Sequence, residues 1–84
     1  MTDQTVLEAE IREWIAEQLA MLLGREPSEM DPNSALAEMD VISLDVVHVI
    51  AAAMKQFGIK VPRAEFEGHD TINKLAGLMA RHAG

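Results

Sequence analysis

Three stretches of this chain repeat apolar residues at the spacing of a helix, and prolines, glycines and polar residues fill the gaps between them. In 84 residues that pattern favours a small helical bundle over any sheet architecture. The first stretch carries Leu7, Ile11, Trp14, Ile15, Leu19 and Leu22, with Gln18 in the same series. Thr5 followed by Glu8 has the form of a capping box, and Gly24 suits the residue just past a helix end. The second stretch runs from about Ser43 to Gln56, with Leu44, Val47, Ile50, Ala51, Met54 and Phe57 as its expected apolar face. Its valines would suit a strand, but its length, the Ala51-Ala52-Ala53 run and the period favour helix. The third begins at Asp70 or Thr71 as cap and carries Ile72, Leu75, Leu78 and Met79.

Between the first two stretches, residues 25–40 hold Pro27, Asp31, Pro32, Asn33 and Ser34, so they read as a loop. Structureless connections this long are uncommon in small domains and are often functional. Leu36 and Met39 are expected to pin it to the core. Val61 precedes Pro62 and is therefore extended, and Arg63 to Glu67 has room for one short helical turn. With two Phe and one Trp, the core must be filled by Leu, Ile, Val and Met, Trp14 included among the core residues. The expectation is a single domain over residues 1–84.

Composition excludes several functions. There is no Cys, hence no disulfide, no thiolate metal site and no thiol nucleophile in the chain itself. His48, His69 and His82 sit at spacings that put no two on adjacent helical turns, which argues against a metal centre. Ser43, Asp45 and His48 do not make a hydrolase triad: His48 lies five residues from Ser43, off the three- or four-residue offset of facing side chains. Residues 1–42 hold ten acids against two bases, and residues 43–84 hold four against five. An acidic surface of this kind repels nucleic acid and anionic lipid and attracts basic partners, although it also serves plain solubility. Met1-Thr2-Asp3-Gln4 has no basic leader character and no apolar run spans a membrane, so a cytoplasmic, monomeric protein is expected.

Ser43 then stands out. It opens the second helical stretch, where an acidic loop meets the positive end of a helix dipole, a favourable place for a phosphate. A serine at that place is also a good helix cap with no modification. The run Leu36-Ala37-Glu38-Met39-Asp40-Val41-Ile42-Ser43-Leu44 resembles the attachment loop of acyl and peptidyl carrier proteins, whose pattern is roughly L-x-E-L-G-x-D-S-L. Leu22-Leu23-Gly24 followed by Pro27 to Pro32 is similar to the end of that family's first helix. Phe57-Gly58-Ile59-Lys60-Val61-Pro62 is similar to its F-G-x-x-I-P, and Asp70-Thr71-Ile72 to the start of its last helix.

The resemblance implies an all-α, four-helix carrier bundle with a long loop between helices I and II and a short helix III. It implies phosphopantetheine, attached to Ser43 through a phosphodiester, whose thiol holds an acyl or aminoacyl group as a thioester. Such a protein performs no chemistry. Its partners are a phosphopantetheinyl transferase and enzymes that load, modify or transfer the acyl group, in a specialised lipid, polyketide or peptide pathway. Asp40, Ile42, Leu44, Asp45 and His48 are the expected partner-facing residues. Two departures mark this chain. The family's acid before the serine is Ile42 here, and its loop glycine is Asp40, which serves either as a cap or loop acid or as a substitute contact for the transferase. Helix II normally displays acids; Asp45 matches one, while His48, Met54, Lys55 and Gln56 occupy the others. An alternative is a carrier-like adaptor that is never modified.

Overall fold

The computed structural model describes the chain from Gln4 to Ala83 apart from Asp40; the side chains of Gln4, Ser43 and Arg63 also lie outside the described set. Three α-helices appear among the described residues: α1, Gln4–Leu23; α2, Ser43–Phe57; and α3, Ile72–Arg81. Both α2 and α3 pack on α1. No strand is formed among these residues; an isolated bridge pairs Ala35 with Thr71. The architecture is all-α, as expected.

On α1, Ile11, Ile15 and Leu19 are almost wholly buried, spaced by the four residues that stack side chains on one helix face. Trp14 is half-buried and meets Phe57 of α2 edge-on, with ring centroids 6.0 Å apart and planes at 83°, a favoured aromatic geometry. Leu22, expected in the core, is instead exposed, and Ala20 and Leu23 turn towards the interior. The helix also starts before Thr5, so the capping-box reading fails: Gln4, a good helix former, carries the helix back past the proposed cap.

The connection from α1 to α2 is better ordered than a loop. It contains two 3-10 turns, Pro27–Glu29 and Leu36–Met39. Leu36 and Met39 are buried as expected, and Met30 joins them. Polar residues tie the segment to the start of α3. Asp31 accepts from Asn33 N–H at 2.9 Å and from the Ser34 hydroxyl at 3.1 Å. Asn73 donates to Asn33 Oδ1 at 2.6 Å and, through its backbone, to Pro32 O at 3.0 Å. Leu36 N–H donates to Asp70 O at 2.9 Å. These bonds meet the backbone demand that a long connection otherwise leaves to water.

Gly58 ends α2 in the left-handed region, φ 65° and ψ 34°, and both Gly58 and Ile59 N–H donate to Met54 O. The short helix expected at Arg63 to Glu67 is a four-residue 3-10 turn, Arg63–Phe66, too short to close an α-helical ladder. Thr71 caps α3, its hydroxyl accepting from Lys74 N–H at 3.1 Å. Ile72, Leu75, Leu78 and Met79 are all buried, joined by Ala76 and Ala80.

Candidate functional site

On α2, Ile50, Met54 and Phe57 pack inward as expected, but the buried face is shifted towards Val46, Val49 and Ala53, and that shift defines the site. Val49, Ile50 and Ala53 face the core, with Val46, Met54 and Phe57 packed at its edge. Leu44 and Val47, expected inside, are 73% and 49% exposed. A helix apolar over most of its circumference can satisfy a core with only one side; here the surplus lies outward. Ile42, just before the helix, is 59% exposed. Ser43 is therefore flanked by apolar side chains that the fold does not bury.

Ser43 is the first residue of α2, and the cap position falls on Ile42, whose backbone is extended at φ −86° and ψ 160°. Ile42 offers no side-chain acceptor, so the residue at the cap position itself makes no side-chain cap bond. Val46 N–H donates to Ile42 O at 3.1 Å, and the N–H groups before it have no acceptor within the helix. Together with the dipole, these make the start of α2 suited to a phosphate. The reading of Ser43 as a simple cap does not hold, since it lies one residue inside. Asp40 lies outside the described residues, as does the Ser43 side chain.

Beside α2 runs an open apolar groove of about 600 Å³. Val47, Ile50, Ala51 and Met54 form the α2 wall, and Val61, Ala64 and Phe66 the opposite one. Ala51 keeps the α2 wall low, because its side chain ends at the β-carbon. The groove's signal was present in the sequence as an apolar α2 stripe too wide for a core. His48 lies on another side of α2, exposed, where it borders a smaller recess with Gln18, Met21 and Leu22 of α1. Asp45 is half-buried. The structure thus brings Ile42, Leu44 and Val47 together around the start of α2 and sets His48 towards α1. Among the described residues, no group of three or more His, Asp or Glu side chains comes together to hold a metal ion, and no helix is long and apolar enough to cross a membrane.

Comparison with known proteins supplies the family of a chain built in this way. The phosphopantetheine attachment site family matches residues 13–79, so this chain belongs to that family of non-catalytic carrier domains, whose prosthetic group is a covalently bound phosphopantetheine. The chain is 35% identical over 80 residues to part of the phenolphthiocerol/phthiocerol polyketide synthase of Mycobacterium tuberculosis, an alignment covering 95% of this chain and 4% of the synthase polypeptide. It is 27% identical over 77 residues to the meromycolate extension acyl carrier protein of Mycobacterium bovis, covering 90% of this chain and 67% of the relative. With the protein of that name from Mycobacterium leprae it is 31% identical over 71 residues, 83% of this chain and 62% of the relative. The chain therefore spans a very small part of the polyketide synthase polypeptides that it matches.

Proposed function

We propose that residues 1–84 act as one carrier domain in which Ser43 bears the phosphopantetheine arm. The observation that carries this reading is the position of Ser43: the first residue of α2, in an exposed apolar setting, inside the family-matched span. The arm fits what is there. Its phosphate suits the N-terminus of α2, where Ile42 supplies no side-chain acceptor, and its apolar cargo suits the groove beside α2. In loading, the Ser43 hydroxyl gives up its proton and forms a phosphodiester as the pyrophosphate bond of coenzyme A breaks, releasing adenosine 3′,5′-bisphosphate. The arm supplies a terminal thiol that holds an acyl or aminoacyl group as a thioester.

The chain's own residues bind and present. Ile42, Leu44 and Val47 form an apolar rim for enzymes that approach Ser43, while Asp45 and Asp40 supply charge to basic docking surfaces. The partners are a phosphopantetheinyl transferase and enzymes that load, modify or transfer the acyl group. The relatives' names support a polyketide or long-chain lipid pathway. We read the 3-10 turn Arg63–Phe66 as the counterpart of the family's short third helix, and the protein as a cytoplasmic monomer. A second reading, an adaptor that is never modified, draws support from Ile42, which stands where the family has an acid.

Intact mass after incubation with coenzyme A and a broad-specificity transferase separates the two. One phosphopantetheinyl addition, lost in Ser43→Ala, is expected. An addition that survives Ser43→Ala overturns the assignment, and no addition with any transferase favours the adaptor.

A further inference from the structure

The groove beside α2 does not simply end at Met54. A second recess, of about 500 Å³, lies against the turn that closes α2 and is lined by Lys55, Gly58, Ile59 and Lys60. Groove and recess share two lining residues, Met54 and Val61, so the Met54 side chain stands where they meet. It lies eleven residues beyond Ser43, about 16 Å of helix rise, at the far end of the groove from the attachment point.

Met54 is held there by a light restraint. Val61 N–H donates to its sulfur at 3.4 Å. A thioether is a weak acceptor, and three rotatable side-chain bonds let methionine repack with little strain. Val61 itself is buried, so its N–H has no easy alternative partner, which biases Met54 towards the closed position. The recess behind suits methylene groups: Ile59 and Val61 are apolar, and Lys55 and Lys60 lay apolar stems along such surfaces while their ammonium groups stay in water.

We propose that Met54 is a chain-length gate: short acyl chains end against it, and longer ones displace it and continue into the recess behind. The proposal rests on the reading of this protein as a phosphopantetheine carrier.

The test loads the unmodified protein with a series of straight-chain acyl groups, butyryl to palmitoyl, from the corresponding acyl-coenzyme A and a broad-specificity transferase. Intact mass verifies each form. For each variant the Tm of the acyl form is referenced to the same variant carrying the arm alone, which removes any change in baseline stability. In the wild type the gain in Tm rises with chain length and then levels off. Met54→Ala should move that plateau to longer chains by about two or three methylenes, the room left by the three heavy atoms alanine lacks. Met54→Phe should move it to shorter chains. Full loading with one common plateau in all three proteins overturns the gate alone. A gain that ignores chain length in every variant overturns both gate and groove, and absence of any mass addition overturns the carrier reading with the gate.

Discussion

Ile42 stands where the carrier resemblance implies an acid, and the structure gives that substitution two consequences. The side chain occupies the cap position of α2 yet can accept nothing, and at 59% exposure it packs against little. An aspartate there would gain a cap and place a negative charge at the positive end of the helix, together worth about 1 kcal/mol. Ile42→Asp is therefore expected to raise the Tm and to speed loading of the arm, both read on one sample by thermal melting and timed intact mass. Ile42→Ser restores the cap without the charge and divides the two effects. If Asp40 supplies the acid that position 42 lacks, Asp40→Ala should slow loading. Unchanged loading rates in both Ile42→Asp and Asp40→Ala would mean that acid placement in this loop does not control modification.

At the scale of elements, backbone and side-chain bonds tie the α1–α2 connection to the start of α3. Thr71 caps α3 and also pairs with Ala35, while its neighbour Asp70 accepts from Leu36 N–H. Thr71→Ala should cost about 1–2 kcal/mol by denaturant unfolding, and Thr71→Ser should recover most of it, because the hydroxyl carries the cap. A loss that serine fails to rescue would point to the threonine methyl and not to the bond with Lys74. Gly58 poses a separate demand. Nothing lies within 4 Å of a β-carbon added there, so the cost of Gly58→Ala comes from its positive φ alone. About 1 kcal/mol is expected, with no loss of packing. The Asp70–Lys74 ion pair, at 3.2 Å but well exposed on both sides, contributes little in comparison.

At the scale of the whole molecule, charge decides partners. The Cα radius of gyration, 11.8 Å, is that of a fully collapsed chain of this length. The fold is thus closed, and selectivity must come from its surface. The net charge is −7, but α2, the helix that presents Ser43, shows His48 and Lys55 where carriers usually show acids, both exposed. Loss of rim charge slows association more than it alters packing. General fatty-acid synthesis enzymes, which read that helix through basic patches, are therefore expected to turn this carrier over poorly even when it is fully loaded. His48→Glu with Lys55→Glu should improve turnover, and added salt should erase the gain, since exposed charges are screened beyond about 8–10 Å. Efficient turnover of the unaltered protein would mark it as an ordinary fatty-acid carrier.

The helical class, the three helix positions and the core stripe of α3 followed from residue order alone, because period and capping are local properties that any neighbourhood must respect. Family membership was likewise legible, carried by short motifs in fixed order from Leu22 to Ile72. The orientation of α2 was legible only in part. Ile50, Met54 and Phe57 were placed correctly, but Leu44, Val47 and Ala51 are as apolar as Val46, Val49 and Ala53, so the sequence offered no means of ranking the two flanks of that stripe. Packing on α1 ranked them by burying Val49 and Ala53. The leftover side chains became the apolar rim at Ser43 and the α2 wall of the groove. The ordering of the α1–α2 connection was hidden for a similar reason: its bonds reach from Asn33 to Asn73 and from Leu36 to Asp70, partners more than thirty residues away, and only tertiary structure brings such groups within a hydrogen bond of each other.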